Sequence, residues 1–236
     1  MKKIIALLSL LFVTFFDANA QERNQVTIDV AAAFGDGFSP AVSAGKLWGV
    51  GKKGRFKVGT GLRFTYYQKN SVQTITAPAV LTSGEKGPQV LFIENIASNL
   101  DTLTFPQVGV GYINIPIHLQ YSFGEKLDVG FNIDVVGLSF GKKQTGRFES
   151  SASESLNGSQ QTASPALFNL LLVSDNDLGS LNSELYARYW MTPKVGIRAG
   201  ASFQFIEYVT DNLLTFGNDR FRAKVLQPLI AVSIKI

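Results

Sequence analysis

The chain has 236 residues and no cysteine, one histidine, two methionines and two tryptophans. Without cysteine there are no disulfides, so a small extracellular scaffold stapled by bridges is excluded, as is a lipid anchor on an amino-terminal cysteine. One histidine and scattered carboxylates do not supply the ligand spacing of a zinc site. His118 is also the only base that a Ser/His/Asp triad could use, and no G-x-S-x-G elbow accompanies it; a lumenal histidine hydrogen-bonded to its neighbours is the expectation. The sequence Asp175-Asn176-Asp177-Leu178-Gly179 lacks the full series of a calcium loop and reads as a turn. No cofactor or metal is expected, and an envelope enzyme is the weakest of the functional readings.

Charge of one sign is also scarce. Lysine and arginine number 22 against 18 aspartates and glutamates, a basic excess too small to suggest nucleic acid as a partner. Beyond residue 20 no apolar run is long enough for a transmembrane helix, so a membrane role requires a β-barrel.

Glycine (22), phenylalanine (18) and tyrosine (7) are abundant, as in a sheet protein with aromatic girdles. The first twenty residues carry Lys2 and Lys3, an apolar run from Ile4 to Phe16, and Ala18-Asn19-Ala20. This is the pattern of an export signal with a small-x-small cleavage site, so residues 21–236 are read as the barrel domain.

The clearest periodicity lies at Tyr112–Phe123. Ile113, Ile115, Ile117, Leu119, Tyr121 and Phe123 alternate with Asn114, Pro116, His118, Gln120 and Ser122, which makes a strand with one face in an apolar medium. Similar alternation marks seven more strands, at residues 25–34, 41–50, 55–68, 127–140, 181–191, 194–208 and 226–236. In the second, Lys46 shares parity with Trp48; its phase stays open, and a bulge would explain it. A soluble sandwich would show the same period. The connections argue for the barrel: those after the first, third, fifth and seventh strands are the longer ones, with short turns between, as in a transmembrane barrel with periplasmic turns and extracellular loops. The even strand count puts both termini on the periplasmic side. Two excursions are long. Residues 69–104 could extend their flanking strands as a hairpin, with a turn at 84–88. Residues 141–180 contain a Ser-rich piece, 150–164, that reads as solvated and mobile, and an apolar knot, Leu167–Val173, that reads as a short helix or loop plug on the barrel mouth.

Tyr112-Ile113-Asn114-Ile115-Pro116-Ile117 is similar to the Y-[LI]-x-[IL]-P-[LI] strand of the porin-like outer-membrane β-barrel families of Gram-negative envelopes. The alternating terminal strand and Phe168–Trp190 resemble those families too, although the end is Ile236 where many barrels have Phe or Trp. The resemblance covers the mature chain. It implies an eight-stranded antiparallel transmembrane barrel, outer-membrane lipid and the barrel assembly machinery as partners, and no catalytic residues.

The phases put ten polar candidates in the lumen: Asp29, Lys57, Arg63, His118, Asp128, Asp134, Glu184, Arg188, Arg198 and Lys235. Four acids against five bases, in a lumen wide enough only for side chains or one small ligand, predict a plugged, salt-bridged interior and a structural or interaction role for the loops. The alternative is a narrow porin-like path for ions or small solutes lined by the same groups.

Overall fold

The computed structural model describes residues 24–85, 93–150, 152–172 and 174–236. The export signal and most of the turn at 84–88 lie outside the described residues. Eleven strands form one antiparallel sheet: β1 (Gln25–Gly35), β2 (Gly37–Val50), β3 (Phe56–Thr76), β4 (Thr102–Phe123), β5 (Leu127–Gly141), β6 (Gln144–Glu149), β7 (Gln160–Pro165), β8 (Phe168–Leu170), β9 (Leu181–Trp190), β10 (Val195–Thr210) and β11 (Arg220–Lys235). Eight of them close a ring, β1-β2-β3-β4-β5-β9-β10-β11, and the last pairs with the first from Thr27↔Lys235 to Ala33↔Leu229. Closure leaves no open edge.

The eight ring strands are the eight expected, but several are longer and two breaks in phase are new. β1 and β2 meet at a tight hairpin around Asp36, not a longer loop, because Gly35 (φ 119°) and Gly37 (φ 90°) take left-handed backbone; a Cβ at Gly37 would also strike the Tyr67 ring at 2.8 Å. Register through β2 is uninterrupted on both sides, so there is no bulge at Lys46. Ser39, Ala41 and Leu47 face inward, and Lys46 and Trp48 both point out, the ammonium 5.7 Å from the indole centroid. Lys46 lies near the turn end of its strand, where a long stem can carry its charge to water. The bulge occurs instead in β5: Ile115 pairs with Val136 and Pro116 with Asp134, leaving Val135 extra. Pro116 has no N–H for the ladder, and a bulge accommodates that loss. Beyond it Val136, Leu138 and Phe140 face outward. A second phase change crosses β3 and β4 at Ser71 (φ 54°) and Pro106–Gln107; past it Val72, Thr74, Leu103 and Phe105 are the inward residues.

At 21 and 22 residues, β3 and β4 are about twice the 9–11 that a transmembrane strand needs. Their upper ends join a second, narrower ring. β3 pairs with β4, β4 with β6, β6 with β7, β7 with β10, β10 with β11, and β11 returns to β3 through Phe221↔Thr76 and Arg222↔Ile75. Eight strands thus taper to a six-stranded collar at the loop end. The Ser-rich piece supplies part of it, since Gln160–Pro165 is β7. The knot at Leu167–Val173 is neither helix nor plug: Phe168–Leu170 is β8, paired with β5 at Val136–Leu138, and Leu167, Phe168, Leu170 and Leu172 are exposed; Val173 is outside the described residues.

Below the collar the outer wall is apolar. Ile113, Ile115, Ile117 and Leu119 on β4, Val129 and Phe131 on β5, and Ile230, Val232 and Ile234 on β11 are all exposed. Tyr121, Phe123, Phe56 and Tyr189 border this belt at the turn end, and Phe34, Phe38, Tyr66 and Phe140 toward the collar. An exposed surface of this kind needs lipid. Ile117→Arg, toward the middle of the belt, is expected to cost about 2–4 kcal/mol, and Phe123→Arg at the turn-end border no more than about 1. Urea midpoints of the variants refolded into liposomes check this; equal losses would place the belt wrongly.

Candidate functional site

The lumen is filled in three tiers. In the collar, Val72, Leu103, Phe105, Val108, Val110, Phe148, Ile206, Tyr208 and Phe221 form one buried apolar cluster. The Phe105 and Tyr208 rings lie 4.7 Å apart, and Phe148 meets Phe221 edge-on at 5.9 Å. Below this sits a tier of uncharged polar groups. The Tyr112 hydroxyl donates to Gln204 Oε1 (2.6 Å), Gln204 Nε2 donates to Gln227 Oε1 (2.9 Å), and Gln227 Nε2 donates to the Gly37 carbonyl (2.9 Å). Ser39 and Ser202 join the same network.

The third tier holds the charges. Alternating inward phases of β1, β3, β5, β9 and β10 bring seven of them into one chain. Arg63 lies 2.5 Å from Asp134 and 3.2 Å from Glu184. Arg198 lies 3.2 Å from Glu184 and 3.4 Å from Asp29. Arg188 lies 3.2 Å from Asp29 and 4.0 Å from Asp128. The order is therefore Asp134–Arg63–Glu184–Arg198–Asp29–Arg188–Asp128, every arginine between two acids and all seven buried. The carboxylates have further donors. Asn114 Nδ2 and the Asn182 N–H reach Asp134 (2.8 and 3.0 Å), Asn132 Nδ2 reaches Glu184 (2.9 Å), and Ser122 Oγ and Trp190 Nε1 reach Asp128 (2.6 and 2.7 Å). Charges removed from water persist only when paired and hydrogen-bonded in this way. Arg198 is the least bonded member. Its Nε and Nη1 have no hydrogen-bond partner, and its guanidinium lies 4.7 Å from the Tyr186 ring centroid. A Cβ at Gly130 would strike that ring at 2.5 Å, so glycine there makes room for Tyr186.

Three of the ten candidates stand outside the chain. Lys57 and Lys235 sit at the turn-end mouth, half-buried; Lys57 Nζ donates to Gln25 Oε1 (2.8 Å), and Lys235 Nζ lies 3.8 Å from the Trp190 ring centroid. His118 is buried in the lumen beside Gly45, which offers no side chain, and its Nε2 has no hydrogen-bond partner. The expected hydrogen-bonded histidine is thus corrected at that atom. Among the described residues no group of three or more His, Cys, Asp or Glu could hold a metal ion.

A second ion cluster was missed in the sequence. It lies on the outer wall at the loop end, where Glu207 pairs with Arg220 (2.7 Å) and Arg222 (2.6 Å), and Asp175 pairs with Lys224 (2.6 Å). Arg222 Nη2 also donates to the Asp177 carbonyl oxygen. The residues after β8 therefore fold as a strap over β10 and β11. Burial raises the Asp177 carboxyl above its ordinary range, although its Oδ1 accepts the Leu172 N–H at 2.7 Å. The signal was available: on β11 the outward positions run Ile234, Val232, Ile230, Pro228, Leu226 and then Lys224, Arg222, Arg220, so the apolar belt ends after Leu226.

No family model and no curated protein matches the chain. Similar solved structures include Neisserial surface protein A, at 14% identity over 90% of this chain and 96% of that one, with a TM-score of 0.39. A major outer membrane protein of Thermus thermophilus covers 90% and 99% at 10% identity, TM-score 0.40. Ail of Yersinia pestis, solved in complex with the heparin analogue sucrose octasulfate, covers 90% and 97% at 10% identity, TM-score 0.35.

Arg198→Ala leaves Asp29 and Glu184 each short of one counter-ion in the chain, and an uncompensated buried charge costs about 3–5 kcal/mol. Arg147→Ala, which breaks an exposed pair with Glu149 at 3.3 Å, should cost less than about 1 kcal/mol. Urea unfolding of the two variants, followed by heat-modifiable migration on gels, separates them.

Proposed function

We propose that this chain is a bacterial outer-membrane β-barrel with turns and both termini in the periplasm, whose lumen conducts no solute and whose work is done by the collar and loops outside the cell. It is a structural or interaction protein and not an enzyme. Outer-membrane lipid covers its belt, and the barrel assembly machinery inserts it. The observation that carries this reading is the unbroken filling of the lumen: a charge chain, then a glutamine and tyrosine tier, then an apolar core in a ring narrowed to six strands. An ion crossing the collar would leave water and pass, in the Phe105, Phe148 and Phe221 cluster, a layer that holds no charged side chain, at a cost of many kcal/mol. Orientation is supported by the length of β3 and β4 beyond the belt and by the paired charges on the outer wall above Leu226.

The absence of chemistry is supported by the lumen too. Its one histidine sits beside a glycine, and among the described residues its Nε2 has no hydrogen-bond partner. The collar instead offers a fixed surface. Its strands are paired around the full ring, and the loop from Asn212 to Asp219 carries Leu213 and Phe216 exposed at its tip.

Planar-bilayer recording of the refolded barrel should show no steady current, in the wild type and in Arg198→Ala alike. Steady conductance whose selectivity shifts toward cations in Arg198→Ala, with the unfolding midpoint unchanged, would make the narrow channel the better reading. On intact cells an epitope at Ser153 should be labelled and one at Lys53 should not; labelling at Lys53 would invert the topology.

A further inference from the structure

We infer that the turn-end mouth of the lumen is a binding site for a small polyanion carrying phosphate or carboxylate groups. A cavity of about 510 Å³ opens there, beneath the charge chain, within the roughly 300–1,000 Å³ range of small-molecule sites. Four cations line it: Lys53 and Arg55 from the turn between β2 and β3, Lys57 from β3 and Lys235 from β11. Among the described residues none of the four has a carboxylate within ion-pair distance, whereas each lumenal arginine above them lies between two acids.

Three acidic groups share the wall, Asp128, Glu125 and the terminal carboxylate of Ile236, and among the described residues none of them forms an ion pair with the four cations. Asp128 is already occupied: Oδ1 accepts from Ser122, Oδ2 accepts from Trp190 Nε1, and Arg188 stands 4.0 Å away. Glu125 lies on the exposed turn between β4 and β5 and pairs with none of the four. A buried donor is also left over. Gln25 is 6% exposed, its Oε1 accepts from Lys57 and Gln120, and among the described residues its Nε2 has no partner. Four like charges at one mouth repel one another unless an anion joins them, and ammonium and guanidinium groups around a concave floor give charge-assisted hydrogen bonds to phosphate or carboxylate oxygens. The indole of Trp190, part of the same wall, reports on occupancy.

The site itself needs no assumption about conductance; only its exposure to the periplasm rests on the orientation proposed above. The mature barrel, refolded in zwitterionic detergent with Trp48→Phe so that Trp190 is the only indole, is titrated with tripolyphosphate and separately with citrate. A saturable change in Trp190 emission is expected, weakening as ionic strength rises. Lys57→Gln with Lys235→Gln should weaken binding about tenfold or more. Lys53→Gln with Arg55→Gln, on exposed turn positions that leave the lumen intact, should weaken it as well, and Lys142→Gln at the opposite end should leave it unchanged. In nanodiscs, competition by anionic phospholipid would identify a lipid headgroup as the source of the phosphate, and its absence a soluble anion. No saturable response at low salt, or equal affinity in both double variants and the parent, would overturn the site. Since binding is read in detergent, its failure would leave the closed-lumen reading standing, and a conducting barrel would leave this site standing.

Discussion

The fold depends on what happens to charges that a ring of eight strands removes from water. The lumen is about one side chain wide on each wall, and lipid outside the belt offers ions no refuge, so each charge buried above the turn-end mouth must find its partner inside the barrel. Asp29, Asp128, Asp134 and Glu184 do so through three arginines, in strict alternation. The pairing joins strands far apart in sequence. Asp29 on β1 is linked to Arg188 on β9 and Arg198 on β10, and Arg63 on β3 to Asp134 on β5 and Glu184 on β9. Buried ion pairs add little net stability against apolar packing of the same volume. What this chain supplies is register, because a slip of one residue in any of these strands would turn its charge toward lipid.

The outer face and the collar follow from the same accounting of water. Where the wall is apolar on the outside, the inside carries polar and charged groups together with one small apolar patch, Ala31, Ala33, Ala41, Leu229 and Ala231. Above Leu226 and Phe205 the outer wall becomes charged, with Glu207, Arg220, Arg222 and Lys224, and the inside becomes the apolar cluster around Phe105 and Phe148. The inversion coincides with the narrowing from eight strands to six. A smaller ring holds less lumen, and aromatic side chains from β3, β4, β6, β10 and β11 fill it. Such a protein is an inside-out barrel in lipid that continues as an ordinary apolar-cored barrel in water.

Much of this was legible in the sequence because period two is a local property. The stretch Tyr112–Phe123 states its phase outright, and from the phases the inward set of charges follows. Phase reading failed where the backbone itself slips, at Val135, opposite the proline that cannot donate; at Ser71 and Pro106, where β3 and β4 both change the face they turn inward, no phase had been assigned. The collar strands β6 and β7 were hidden because Gln144–Glu149 and Gln160–Pro165 carry few apolar residues; they are strands through their pairing with β4 and β10. Partners across the lumen were out of reach for a different reason. Which arginine meets which acid depends on strand stagger and barrel closure, and no local pattern encodes either. Leu167–Val173 read as a plug because its leucines were counted as core, whereas Phe168–Leu170 is a strand on β5 and Leu167, Leu170 and Leu172 are exposed.

The coupling within the charge chain is tested most directly by a double-mutant cycle on Glu184→Gln and Arg198→Gln, with unfolding free energies measured in lipid. Each single change leaves the neighbour's charge with one counter-ion fewer, while the double change removes both charges together. The double variant should therefore lose less stability than the two singles combined, by at least about 1 kcal/mol of interaction energy. Additivity within about 0.5 kcal/mol would mean that the two groups are hydrated and independent, and would contradict a lumen closed by paired charge.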